Sequence, residues 1–332
     1  MISNPLSLDF LVESLKGLMR GAPDQRTGKN CVYRMEDAAR AAFAVFYTPS
    51  PSFLADQRTM ELTQGQSNAQ TLFGMSQIPT DNGVRTMLDP VAPSHRFPLF
   101  TQIFQALNAG GHIDPLRVSF EASASGPGRL LIALDGTAYH HSHTIHGPQG
   151  TVAQHPNGPT SYSHTVITPV IVAPGASRVI PLAPEFIVPQ DGHDKQDGET
   201  AAAQRWLAAT GDRYRDQNVT LSGDDLYSRQ PLCAAVLAAG LNFLLVCKPS
   251  SHPTLYEEVE SLTRAGGVTT HEITRRRGPK TSTDRYRFAA QWPLRAGEDA
   301  LGVHWLELTT TDAAGQTTDH NAWITRHAIH PG

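Results

Sequence analysis

A chain of 332 residues with 39% hydrophobic, 17% charged and 7% aromatic residues holds enough apolar material for one or two domains, and its 27 glycines and 24 prolines make it loop-rich rather than fibrous or disordered. A formal net charge of −4 argues against nucleic-acid binding through bulk electrostatics, so any such contact must be local. There is no run near the ~18–20 apolar residues of a membrane helix and no basic start leading into an apolar stretch, while Cys31, Cys233 and Cys247 are too scattered for a disulfide framework or a CxxC zinc site; a cytoplasmic protein is predicted.

In chain order, residues 6–20 place Leu8, Leu11, Val12 and Leu15 at helical spacing, and residues 35–47 do the same with Ala39, Ala42, Phe43 and Phe46. TPSPS at 48–52 is a break, and 67–91 holds Pro79 with Asp81 or Asn82 as a cap ahead of VRTMLD. From Arg129 the texture changes. RLLIALDG (129–136) is an apolar run ending in Asp-Gly, and SHTVITPVIVAP (163–174) is rich in β-branched residues. A helix is predicted over 199–209, a strand and turn over VTLSGDDLY (219–227), a helix in PLCAAVLAAG closed by Gly240, and a strand in NFLLVCKPS. This alternation predicts an α/β fold with part of the sheet parallel. After Thr254 apolar and polar residues alternate between turn signals, which predicts a block of antiparallel strands.

Asp135 stands at the end of LLIAL, and Asp224 with Asp225 follows VTLSG. Functional groups gather at strand carboxyl ends in open α/β sheets, and carboxylates there suit hard divalent cations of the kind that clamp both oxygens of a phosphoryl displacement. Against that, Asp-Gly after a strand is a common turn, and Asp224-Asp225 equally suits a solvated turn with a cap. His140, His141, His143 and His146 crowd seven residues, with His155 and His164 beyond. Imidazole suits zinc and copper, yet strand alternation sends His141 and His143 to one face and His140 to the other, which favours an exposed hairpin. Arg275, Arg276, Arg277 and Lys280 surround Gly278-Pro279 and predict a hairpin tip, either phosphate-contacting or simply solvated. Lys248 ends NFLLVCK on the sheet edge of the aspartates and either faces phosphates or is an ordinary strand-end lysine. No GxGxxG after a strand, GxxxxGK[ST], GxSxG or HExxH occurs.

Taken in order, FLVESLKGLM, IPTDNGVRTMLDPV, ALDGTAY, HTVITPVIVAPG, LAPEFIVPQDGHDKQDGETAAAQRWL, GDDLYSRQPLC, FLLVCKPSSHPTLYEEVE and VHWLELTTTDAAG resemble the DDE-class insertion-sequence transposases. The resemblance implies an α/β fold, an RNase H-like mixed sheet with flanking helices. A helical N-terminal domain (1–125) would precede the first part of the catalytic core (126–256), with a β-rich insertion over 257–332. It implies that Asp135 is the first catalytic aspartate and that GDDLYS carries the second, where Asp, two residues, then an aromatic selects Asp224 with Tyr227 over Asp225. It further implies two Mg2+ or Mn2+ ions, terminal inverted repeats and target DNA as partners, and a homodimer in a synaptic complex, nucleoid-associated when bound to DNA. The arginine-rich hairpin would hold backbone phosphates.

The family's third carboxylate is a glutamate on a helix, four residues after an arginine. Glu257, Glu258, Glu260, Glu272, Glu298 and Glu307 all lack that arginine. The resemblance therefore implies a C-terminally truncated copy with two of three carboxylates, in which Glu307 of WLELT is the residue left to substitute. Loss of the covering helix would leave Leu131, Ala133 and Leu244 to Val246 partly uncovered. Two other readings stand beside it: a non-catalytic DNA-binding fragment that inhibits a full-length transposase, and an unrelated metal-dependent hydrolase using the His140–His146 cluster.

Overall fold

The computed structural model describes residues 4–28, 31–63, 72–75, 77–120, 128–147, 149–156, 158–189, 198–278 and 280–330. They fall into two compact units, Met1–Asp114 and Pro115–Gly332. The expected boundary at 125/126 lies outside the described residues.

The first unit is helical: α1 (Leu8–Arg20), α2 (Met35–Tyr47), α3 (Phe53–Leu62), α4 (Asp81–Leu88) and α5 (Phe97–Ala109). Side-chain oxygens start three of them, since Ser7, Ser52 and Thr80 accept from the amides of Phe10, Ala55 and Gly83. The cap of α4 is thus Thr80 rather than Asp81 or Asn82. Asp81 instead occupies the first turn, where its carboxylate faces the positive helix end and pairs with Arg85 at 3.2 Å. Alanines on α2 let its neighbours approach closely: Ala41 and Ala44 pack with Val12, Met60, Phe73 and Val84, and Ala38 and Ala39 with Leu15, Met19 and Met87.

The second unit is mixed α/β. Its elements are β1 (Leu130–Ala133), β2 (Gly136–Ser142), β3 (Thr151–Ala153), β4 (Ser161–Ile167), β5 (Val170–Val172), β6 (Ile180–Pro181), β7 (Glu185–Ile187), α6 (Glu199–Thr210), β8 (Val219–Gly223), α7 (Gln230–Ala238), β9 (Asn242–Val246), α8 (Pro253–Arg264), β10 (Thr269–Arg277), β11 (Lys280–Pro293), β12 (Gly302–Asp312) and β13 (Thr317–Thr325). A nine-stranded sheet runs β10-β11-β12-β13-β9-β8-β1-β5-β6, and a smaller one runs β2-β4-β3 with β7 on β4. Within the large sheet β8 lies parallel to both β1 and β9, and the remaining pairs are antiparallel. Burial of Leu130, Ile132, Leu221, Phe243 and Leu245 on the strands, and of Trp206, Leu232 and Val236 on α6 and α7, makes the core. The indole of Trp206 keeps its donor satisfied by giving it to the Ala183 carbonyl at 2.9 Å.

Two expectations change. The β-branched run 163–174 is not one strand, because Thr168-Pro169 divides it between β4 in the small sheet and β5 in the large one. Proline has no N–H for a ladder; here its carbonyl accepts from Leu182 at 2.9 Å. Residues after Thr254 do not begin with strands. PTLYEEVESLTR forms α8, with Pro253 in the first turn and Leu255 and Val259 buried at i, i+4 spacing, so a boundary at 256/257 would cut a helix. The strands that follow are antiparallel, as expected, and they extend the core sheet: β13 pairs with β9 from Trp323↔Val246 to Thr325↔Leu244. Of the apolar positions expected to be partly uncovered, Leu131, Ala133, Leu244 and Val246 are half-buried, whereas Leu245 is fully buried on the alternate face. Among the described residues no helix is long and apolar enough to cross a membrane.

His327, beyond β13, ties this end of the sheet together. Its Nε2 lies 2.9 Å from Thr220 Oγ1 and its Nδ1 lies 3.1 Å from Asn242 Nδ2. Burial, reinforced by Arg129 and His304, lowers its pKa from 6.5 to about 4. The unfolded chain therefore takes up this proton first as pH falls. The stabilisation from the neutral ring is complete above pH 6.5, is lost between there and pH 4, and changes no further below. About 2 kcal/mol is at stake after allowing for partial exposure. Urea unfolding of His327→Gln should show a pH dependence shallower than the wild type by that amount in this window, and identical slopes would refute the assignment.

Candidate active site

The two aspartates meet because β1 and β8 are parallel and in register. Ala133 lies opposite Ser222, and the Leu134 amide donates to the Ser222 carbonyl at 2.8 Å. Two residues further along each chain the same register sets Asp135 beside Asp224, each just past the carboxyl end of its strand and each exposed. The chain leaves β1 here for β2 of the other sheet, and the Asp135 carbonyl accepts from the Thr168 amide at 3.1 Å. Asp224 ends β8 by accepting from the Leu226 amide at 2.9 Å, which caps a single 3-10 turn.

Asp225 has a different task. Its Oδ1 accepts from the Lys248 amide at 2.7 Å and from Ser251 Oγ at 2.5 Å, which latches the segment after β9 to the turn after β8. Ser228 Oγ and His252 Nε2 are 2.6 Å apart behind this latch, but Ser228 is fully buried and Asp225 lies 3.9 Å from that same nitrogen. A nucleophilic triad needs an exposed serine and the acid on the opposite ring nitrogen, so this trio is structural.

Tyr227 sits beneath the aspartates, fully buried, with its hydroxyl donating to Glu199 Oε2 at 3.0 Å. Burial first, then the charges of Glu199, Asp224 and Asp135, push its pKa well above the usual phenol value and keep it a neutral donor. Glu199 is the first residue of α6, where the helix end favours its charge. Its carboxylate lies directly on Gly136, at a spot a β-carbon there would overlap. A β-carbon there would make the end of the Glu199 side chain move away. Gly136→Ala should push Glu199 off Tyr227 and cost about 1–2 kcal/mol, the net worth of a hydrogen bond to a charged group. Tyr227→Phe should cost a similar amount and the double variant little more than either, as read by chemical unfolding; fully additive losses would show the contacts to be unlinked.

No protein-family model matches this chain, and no curated protein does.

Glu307 does not join these residues. It is bound by Arg287 Nη1 at 2.8 Å and by His320 Nε2 at 3.1 Å. Its strand β12 is three strand steps from β8, about 14 Å, too far to share a cation with Asp224. The basic hairpin is also remote. Arg277 pairs with Lys280 across the β10–β11 tip, five strand steps from β8, with Arg275 bound to Asp284 at 2.9 Å and Arg276 to the Gly278 carbonyl at 3.3 Å. Lys248 alone of the expected basic residues lies exposed on the aspartates' edge. The histidines spread over the small sheet, His140 opposite His164 and His141 beside His143 at 5.1 Å between rings. Among the described residues no three or more His, Cys, Asp or Glu side chains are grouped to hold a metal, at the histidines or at the aspartates.

The donors present at Asp135 and Asp224 are carboxylate oxygens only. Magnesium is commonly held by one or two carboxylates completed by substrate phosphates and water, and an exposed pair on one strand edge fits that mode. Glu199, upstream of Asp224 in the chain, joins this corner through Tyr227 and Gly136 and is not among the expected site residues. Its one signal is the position of GETAAAQRWL, a carboxylate opening a helix.

Proposed function

We propose that this chain is the DNA-cleaving and strand-transferring part of a DDE-class insertion-sequence transposase, with an RNase H-like core. The observation that carries the reading is the juxtaposition of Asp135 and Asp224 at neighbouring carboxyl ends of parallel strands. Support comes also from the order of parts, a helical unit, a mixed sheet with helices, then antiparallel strands, which is what the sequence resemblance implies. Asp135 and Asp224 would hold Mg2+ or Mn2+, which when bound supplies charge stabilisation to the attacking and leaving oxygens of an in-line displacement.

The chain's own residues do the rest. The Asp225 latch fixes the turn that presents Asp224, and the neutral Tyr227 hydroxyl holds Glu199 against Gly136 at the back of the site. Lys248 faces incoming phosphates on the same edge. The hairpin at Arg275, Arg276, Arg277 and Lys280 would touch duplex backbone farther along the sheet, the helical unit would read the terminal repeats, and a homodimer would bring two ends together. The test is divalent-metal-dependent cleavage of duplex DNA carrying the sequences that flank this chain's own reading frame. Cleavage at the element ends supports the proposal. Binding of those ends without cleavage would replace it with the inhibitory DNA-binding role, and neither binding nor cleavage would refute both.

A further inference from the structure

A cavity of about 300 Å3 opens on the far side of the Asp225 latch, lined by Arg229, Gln230, Ser251, His252, Thr254 and Arg295 among others, with no carboxylate in its wall. Two helices begin there. Both α7 and α8 carry proline in the first turn and lack a side-chain cap, so the amides of Gln230 and Thr254 have no acceptor among the described residues. Arg229 donates Nη1 to the Ser251 carbonyl at 2.6 Å, which fixes its guanidinium at the cavity while Nε and Nη2 have no partner among the described residues. Arg295 is steadied by Asp299 at 2.5 Å and the Ala296 carbonyl at 2.9 Å.

His252 is the independent observation. Its side chain is 4% exposed, yet only one ring nitrogen has a partner. Ser228 Oγ lies 2.7 Å from the Asp225 carbonyl and 2.6 Å from His252 Nε2, and its single proton can go to either, since that carbonyl also accepts from the Ser228 amide. Nδ1 has no partner among the described residues, on a side chain that lines the cavity. Two guanidinium groups, two uncapped helix starts and a buried imidazole together describe a receptor for a tetrahedral oxyanion; burial, with Arg229, holds the ring below its usual pKa, so it stays neutral and donates from Nδ1 in the tautomer in which Ser228 donates to Nε2.

We propose that this cavity binds a phosphate group and, resting on the transposase reading, that the group is a DNA backbone phosphate adjacent to the one processed at Asp135 and Asp224. The wall residue Ser251 and the carboxylate edge are joined through Asp225, so a strand crossing the edge would meet the cavity next.

The experiment pairs calorimetric titration of inorganic phosphate with fluorescence anisotropy of a duplex oligonucleotide, using the whole chain, Arg295→Gln and Arg229→Gln/Arg295→Gln. Arg295 is on the surface, so the single variant keeps the test open should the double one fail to fold. The expected result is measurable phosphate binding, at least tenfold weaker in the variants, with DNA binding weakened and its salt dependence shallower by about one ion per lost contact. Phosphate loss without any change in DNA binding would overturn the DNA assignment and leave a free phosphate as ligand. No phosphate binding by the wild type would overturn the cavity assignment. Neither failure touches the cleavage chemistry, which Asp135→Asn tests by itself.

Discussion

Asp135→Asn should reduce divalent-metal-dependent DNA cleavage by about a thousandfold or more, roughly 4 kcal/mol of transition-state stabilisation, without loss of fold stability. The carboxylate is exposed and has no protein hydrogen-bond partner among the described residues, with Asp224 at the end of the neighbouring strand and Glu199 against the next residue as like charges. Neutralising it removes a cation ligand and relieves repulsion, so activity and stability should move in opposite directions. Asp224→Asn should behave alike, since asparagine still accepts from the Leu226 amide. Asp225→Asn is the control that decides which member of the doublet matters. Asparagine keeps an acceptor for the Lys248 amide and Ser251 Oγ, so cleavage should stay within about tenfold while stability falls by roughly 1 kcal/mol from the lost charge-assisted bonds. Single-turnover cleavage alongside thermal melting reads all three. If Asp225→Asn abolished cleavage and Asp224→Asn did not, the second carboxylate would have been assigned to the wrong residue.

Arg40→Leu should destabilise the helical unit by about 3–5 kcal/mol, a large share of the roughly 5–15 kcal/mol that holds a domain together. Arg40 is 4% exposed and binds four groups: Asp37 Oδ1 at 2.6 Å, the Glu36 carbonyl at 3.2 Å, and the Phe73 and Gly74 carbonyls at 3.0 and 2.6 Å. Leucine would leave a buried carboxylate and two carbonyls of the 73–74 segment without their donor. Most of the cost is that orphaned charge, so Asp37→Leu added to Arg40→Leu should recover a good part of it. Denaturant unfolding followed separately in the two units checks the result, because the transition of the second unit should not move. A loss under 1 kcal/mol in the single variant would mean that water replaces the guanidinium and that the pair contributes little.

What the sequence carried by itself is local. Apolar spacing of 3–4 residues marked α1 and α2, since each buries one stripe, and β-branched or apolar runs marked β1, β8 and β9 with an aspartate at the end of each of the first two. Gly278 between basic residues marked the β10–β11 tip for the same local reason. The α8 stripe of only Leu255 and Val259 is too narrow to stand out beside the alternating strands that follow it. Tertiary structure alone decided the rest, because pairings between residues far apart in the chain leave no local pattern. The β9–β13 pairing merged the late strands with the core, and the parallel register of β1 with β8 turned two strand-end aspartates into neighbours. Burial behind the latch gave Asp225 a different role from Asp224, and ion pairing consumed Glu307. Glu199 came to rest on a glycine 63 positions earlier only because α6 packs back over the end of β1.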